Sequence, residues 1–251
     1  MTEGSSENPP AREPAQLGTR VSRRTLITAG TVGAGAAALG AGAAVGISAL
    51  TSSPTPAATI PPSEDLMVDH GILKRILLAY REISRRVTAG DPVPVAPTAA
   101  AAAFIQTYIE SYHEALEEAY VFPRLEQAGR LTGLVRTLLI QHDRGRHLTA
   151  GITELTADGV RTEVARVALT RRLDAFVRMY EPHEAWEDTV VFPAFREVTP
   201  DRVFTELGER FADEQRTLFG PGAGGHILEQ VAAIEASLGI GDLNAFTPSA
   251  L

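Results

Sequence analysis

His113 and Glu117 stand four residues apart, and so do His183 and Glu187. On a helix that spacing stacks both side chains on one face, one turn apart. A neutral imidazole and a carboxylate aimed the same way form a donor pair that iron, manganese or zinc accepts. The two pairs belong to a repeat. His113 to Pro123 reads HEALEEAYVFP and His183 to Pro193 reads HEAWEDTVVFP, with seven of eleven positions identical at an offset of seventy residues. Glu114 and Glu184 recur directly after the two histidines. The chain has no cysteine, which removes disulfides, thiolate metal sites, iron–sulfur clusters and thiol nucleophiles. Any metal site must be built from nitrogen and oxygen.

Two more histidines sit where helices must position them. A first helix is expected over about residues 64–88, with Ser63 as its cap. Its inward seam is Leu66, His70, Leu73, Leu77, Tyr80, Ser84 and Val87, at alternating steps of four and three. Gly90, Pro92 and Pro94 end it. A second helix over about 98–127 carries Ile105, Ile109, Tyr112, His113, Leu116, Glu117 and Tyr120 inward, and Pro123 bends its end. A third over about 131–156 repeats the spacing with Leu131, Val135, Leu138, His142, Gly145, Thr149 and Ile152. A fourth over about 160–192 follows with Leu169, Leu173, Phe176, Tyr180, His183, Glu187 and Val190, and Pro182 is expected to kink it. A fifth helix starts at Thr199-Pro200, with Thr199 as cap and Val203, Phe204, Leu207, Phe211 and Leu218 on its apolar face. A sixth follows the turn at 220–225, with Ile227, Leu228, Val231, Ile234 and Leu238 inward. No segment alternates with period two. The fold class is therefore all-α: an antiparallel up-down-up-down four-helix bundle over 64–198, with two extra C-terminal helices in 199–251.

Short connections make neighbouring helices antiparallel, and this brings the histidines to one depth. His70 lies about 18 residues below the first connection and His113 about 15 beyond it. His113 and His142 lie about 14 and about 11 residues from the second. At about 1.5 Å per residue these heights agree within roughly a turn. His142 and His183, at about 14 and about 23, match less closely, and a longer fourth helix or a bend at Pro182 absorbs the excess. Without a cation, such a cluster would desolvate carboxylates at a cost of several kcal/mol each. A lone histidine on an apolar seam is usually a satisfied core residue, but four in register with two glutamates imply a metal. Six donors exceed the four of a structural zinc site, and imidazole with carboxylate suits iron best, then manganese or zinc. His147 and His226 read as surface residues, Asp69, Asp143 and Glu118 as solvated or as partners orienting imidazoles, and Tyr80, Tyr112, Tyr120, Phe176 and Trp186 as core.

The order His70, His113/Glu117, His142, His183/Glu187, with the two Phe-Pro endings, resembles the hemerythrin-like HHE cation-binding domains over about residues 64–195. The resemblance implies a non-haem centre of two iron ions per chain, with Glu117 and Glu187 bridging and the four histidines terminal. It implies that Glu114 and Glu184 bind in some members. It departs at Arg146, where oxygen-carrying hemerythrins have another histidine one turn after the third-helix one, and this weighs against reversible oxygen carriage. Three functions follow as expectations: binding or sensing of oxygen, nitric oxide or peroxide; a di-iron enzyme oxidising ferrous iron or consuming peroxide; or a metal-stapled interaction module.

Upstream, Ser22-Arg23-Arg24-Thr25-Leu26-Ile27 precedes an uncharged Ala/Gly-rich stretch reaching residue 50. Paired arginines before a weakly apolar segment resemble a twin-arginine export signal. The expectation is export by the twin-arginine translocase to the cell envelope or beyond, with a membrane tether if residues 1–50 are retained. Residues 51–63 read as a Pro/Ser/Thr linker. The whole chain has 23 basic and 31 acidic residues, net -8, and no basic stripe, which argues against nucleic acid as a partner.

Overall fold

The computed structural model describes residues 60–248, all of them helix, turn or connection with no strand. The paired arginines Arg23 and Arg24, the rest of the expected signal and the linker to residue 59 lie outside the described residues. Among the described residues no helix is long and apolar enough to cross a membrane.

Helix α1 is Pro62–Thr88. Ser63 is not its cap. Pro61 holds that position and Pro62 the first helical one, where a fixed φ and a missing N–H cost nothing. Helix α2 is one rod over residues 95–127. It begins as Val95–Phe104, passes through π-helical Ile105–His113 and a single α turn, becomes π-helical again over Glu117–Val121, and ends as Phe122–Gln127. Helix α3 is Thr132–Ala157. Helix α4 is a second compound rod over 163–198: Glu163–Trp186, π-helical Glu187–Val191, then Phe192–Val198. Its cap is Thr162, whose hydroxyl accepts from the Ala165 N–H. Helix α5 is Asp201–Phe219 and α6 is Ala223–Ser237. Thr199, expected to cap α5, instead closes α4 by donating its hydroxyl to the Phe195 carbonyl at 2.6 Å. Pro200 precedes the first turn of α5.

Pro182, where a kink is expected, does not end the helix: α assignment continues through it to Trp186. The departure comes at the glutamates instead. In both repeats the wide turn opens on the ligand-type residue, Glu117 or Glu187, and closes just before Phe-Pro. The proline ring would collide with the carbonyl four residues back, and its missing N–H leaves that carbonyl unpaired. A π turn ahead of the proline relieves both, and such turns gather at functional sites. It also shifts the buried register, so that Val121 and Val191 are buried where Tyr120 and Val190 are only half so.

The helices form a bundle in which α1 packs on α2 and α4, and α3 packs on α2 and α4. Its axis is filled by the seams read from the sequence: Leu66, Leu73, Leu77 and Tyr80 from α1, Ile105 and Ile109 from α2, Val135 and Leu138 from α3, and Leu169, Leu173 and Phe176 from α4 are all buried. Helix α5 lies on α1, and α6 on α1 and α2. Phe211, Ile227 and Val231 are buried there. Arg75 ties α1 to α6 through a bidentate pair with Glu235 at 2.8 and 2.6 Å. Leu218 and Leu228, expected inward, are exposed, as is Trp186. Each sits on the outer flank of its helix, where no further helix covers it.

Phe211 is buried with its ring 5.7 Å from that of Tyr120 and carries no metal-type donor, so its truncation tests packing apart from chemistry. Phe211→Ala should destabilise the protein by about 3–5 kcal/mol in urea unfolding. Metal content per folded chain should stay unchanged.

Candidate metal centre

Six side chains meet in the middle of the bundle. His70 comes from α1, His113 and Glu117 from α2, His142 from α3, and His183 and Glu187 from α4. All six are buried, and both glutamates are wholly shielded from solvent. The repeat's phenylalanines build the walls. Phe192 stacks on the His70 ring at 5.4 Å between centroids, and Phe122 lies 5.6 Å from the His142 ring. Each Phe-Pro ending thus packs on the lone histidine of a neighbouring helix.

Every histidine has its Nδ1 held from outside. Nδ1 of His70 lies 2.7 Å from Asp188 Oδ1, that of His113 3.3 Å from Asp69 Oδ2, that of His142 2.9 Å from Glu118 Oε1, and that of His183 2.9 Å from Gln141 Oε1. Carboxylate and amide oxygens accept, so each Nδ1 carries the proton and donates. The Nε2 lone pair is left facing the centre, the arrangement that orients metal-binding imidazoles.

What these nitrogens face is more acceptors. His113 Nε2 is 3.6 Å from Glu117 Oε1, and His142 Nε2 is 3.5 Å from Glu117 Oε2. His70 Nε2 and His183 Nε2 are 3.4 and 3.0 Å from Glu187 Oε2. His70 and His113 also meet Nε2 to Nε2 at 3.1 Å. None of the four oxygens of Glu117 and Glu187 accepts a hydrogen bond, and His142 Nε2 has no partner either. Buried polar atoms are nearly always paired. Two donors bound to one cation at about 2.1 Å each lie roughly 3 Å apart, which is the spacing observed. The donors fall into two groups, Glu117/His142/His183/Glu187 and His70/His113/Glu117, and Glu117 belongs to both. Its two oxygens face opposite groups, and Glu187 likewise approaches a histidine of each. The residues present fit a pair of cations.

The electrostatics report the same crowding. Burial, then the neighbouring Glu187 charge, push the Glu117 carboxyl well above its ordinary range. Burial pushes Glu187 up too, but His183 and His70 outweigh it and hold that carboxyl below the usual range. Burial lowers His70, yet the carboxylate of Asp188, to which its Nδ1 donates, and the nearby Glu187 carboxylate carry it up to about 9. Burial holds His113 down despite Asp69. One glutamate is thus driven toward its neutral form while an imidazole holds a proton, the pattern of a donor cluster sharing protons where a cation fits.

Glu114 and Glu184 are also buried, but basic residues hold them. Glu114 Oε1 accepts from the Tyr180 hydroxyl at 2.6 Å, and its Oε2 lies 2.8 Å from Arg146 Nη2. Glu184 pairs with Lys74. Glu114 does form a third close group, with Glu118 and His142, on the outer side of that imidazole. His147, Asp143 and His226 are exposed. Asp69, read as solvated or as a histidine partner, is buried in the second of those roles and also takes the Tyr108 hydroxyl. Sequence reasoning missed Asp188, Gln141, Phe122 and Phe192. Their signal was positional: Asp188 follows Glu187 as Glu118 follows Glu117, and Gln141 precedes His142 as Asp69 precedes His70.

A family model described as Hemerythrin HHE cation binding domain matches residues 62–166. That span holds His70, His113, Glu117 and His142 and stops before His183 and Glu187. A protein of Mycobacterium bovis and two of Mycobacterium tuberculosis strains, each described only as uncharacterized, are 48% identical over 198 residues, covering 78% of this chain and 78% of theirs. No solved structure matches the chain.

Asp188 makes the shortest of the four outer bonds. Asp188→Ala should weaken metal affinity by about 10- to 100-fold, measured by competition with a chromogenic chelator, with the helical circular dichroism retained.

Proposed function

We propose that the chain is a member of the hemerythrin HHE cation-binding family, whose model matches residues 62–166, and that it is an exported non-haem di-iron protein that binds or senses oxygen, nitric oxide or peroxide. The observation that carries the metal reading is the set of four unpaired carboxylate oxygens facing four inward imidazole nitrogens in a dry core. In this reading Glu117 and Glu187 would be shared between two ions, His70 and His113 would help hold one, and His142 and His183 the other. The bundle runs up-down-up-down, as the brief connections at 89–94, 128–131 and 158–162 favour. Iron is preferred for this mixture of imidazole and carboxylate, and manganese or zinc are the alternatives. A bound iron pair would supply redox chemistry and open positions for a small ligand. The chain's own part is to aim the nitrogens through Asp69, Glu118, Gln141 and Asp188, and to keep bulk water out with Phe122 and Phe192.

An enzymatic reading, ferrous oxidation or peroxide consumption by the same centre, is favoured by one observation. Arg146 stands where oxygen carriers of this family have another histidine, and it is engaged with Glu114 and Glu118, so the histidines divide two and two. Absorption spectra of the reduced, iron-loaded protein before and after oxygen, nitric oxide or peroxide decide between them. A stable, reversible ligand band supports binding or sensing. Rapid turnover of peroxide or added ferrous iron supports an enzyme, and a redox-silent zinc protein would leave a structural staple. His113→Ala and Glu187→Ala should each abolish loading with two irons. Two irons per chain in either variant, by metal analysis, would overturn the assignment.

Export rests on Ser22 to Ile27 and the uncharged stretch behind them. Replacing Arg23-Arg24 with Lys-Lys should block it, seen as loss of the protein from the envelope and medium fractions. Unchanged export would remove that part of the reading.

A further inference from the structure

The site has an internal two-fold pattern that extends past its six central donors. His70 is followed four residues later by Lys74, and His142 four residues later by Arg146. On a helix each base lies one turn beyond its histidine on the same face. Each reaches across to the helix carrying a His-x3-Glu pair and meets the glutamate directly after the paired histidine: Lys74 meets Glu184, and Arg146 meets Glu114. The duplicated motif therefore carries a duplicated base. On the α2–α3 side the contact is closed from both ends. Arg146 Nη2 lies 2.8 Å from Glu114 Oε2 and 2.7 Å from Glu118 Oε1, and the Tyr180 hydroxyl donates to Glu114 Oε1. Tyr180 reaches that position because residue 145 is glycine; a Cβ there would overlap its hydroxyl.

Glu114, Glu118 and His142 bring donor atoms within 4.8 Å of one another. His142 spends its Nδ1 proton on Glu118, so what remains at that spacing is two converging carboxylates, which divalent cations accept. A guanidinium bridges those two carboxylates, and it keeps its charge at every accessible pH. We propose that Arg146, with Lys74 as its counterpart, is a positioning residue that serves as a resident cation: it holds Glu114 out of the metal centre, so that the ligand set closes at six and the chain takes two ions rather than three. The proposal rests on the two-ion reading above. It accounts for a buried glutamate beside a metal-type histidine in each repeat that is not free to bind. Glu118 Oε1 in turn accepts from both His142 Nδ1 and Arg146.

The test counts ions. The full chain is loaded with Zn2+, freed of excess by gel filtration, and its metal content measured by mass spectrometry. Wild type and Glu114→Gln should both retain two ions per chain. Arg146→Gln should retain three, and Arg146→Lys or the Arg146→Gln/Glu114→Gln double variant should return to two. A merely structural Arg146 could lower the count but not raise it. Arg146→Gln at or below the wild-type count overturns the proposal, as does loss of an ion from Glu114→Gln. If Arg146→Gln fails to fold by circular dichroism, the Glu114→Gln count decides alone: an unchanged count supports the proposal and a lowered one overturns it. A wild-type count other than two removes the two-ion reading instead, a result separate from the difference between variant and wild type.

Discussion

Four carboxylate oxygens in the middle of the bundle accept no hydrogen bond and face imidazole nitrogens at 3.0 to 3.6 Å. Acceptor against acceptor in a dry core is repulsive, and an isolated buried charge costs several kcal/mol. A domain of this size holds about 5–15 kcal/mol of net stability in all. The arrangement is tolerable only where cations or protons sit between the groups. The rest of the structure keeps it in that state. Outer hydrogen bonds fix each Nδ1 as donor, so no imidazole can turn to satisfy a glutamate. Phenylalanines close the ends, so water does not reach the oxygens.

The same economy shows in the backbone. Phe-Pro ends both copies of the motif, and each element of that pair has a task. The proline provokes a π turn that begins at the bridging-type glutamate, and the phenylalanine lands on the lone histidine of an adjacent helix. A local covalent constraint, the missing proline N–H, is thereby coupled to the placement of a carboxylate more than a turn upstream. Duplicating one helix-plus-lone-histidine unit reproduces the whole site, because the outer partners come from positions flanking the donors: residue 69 or 141 before the lone histidine, and 118 or 188 after the glutamate.

Much of this was legible in the sequence, for a physical reason. Helical periodicity is strong when a seam is continuous, and the α1, α3 and α4 seams named from spacing are buried almost residue for residue. The convergence of the donors followed from their seam positions together with the connection lengths, less closely for His183. What escaped the sequence depends on groups that no pattern marks. Pro182 read as the site of a kink, and the helix carries it, while the wide turn comes just ahead of Pro193, inside the motif. Thr199 looked like the start of α5 and instead ends α4, since a threonine beside a proline can serve either neighbour. Trp186 looked apolar enough for the core and is 54% exposed, because it flanks His183 on the side away from the seam. Glu114 and Glu184 looked like donors; only coordinates show the bases that reach them from other helices.

The internal symmetry has one break among the outer partners, and it makes the two halves unequal. Asp69 precedes His70 and offers His113 a carboxylate; Gln141 precedes His142 and offers His183 a neutral amide. A carboxylate partner raises the basicity of an imidazole, and an amide does so less. His70 and His113 are thus both backed by negative charge, from Asp188 and Asp69. On the other side the only carboxylate partner, Glu118, shares its oxygen with Arg146, and the guanidinium draws down the charge that His142 feels. Two positions built from the same donor types are in this way given different electron richness by one substitution and one neighbouring base. The centre therefore has two inequivalent halves, and the difference is written at residues 69, 141 and 146 rather than in the six donors themselves.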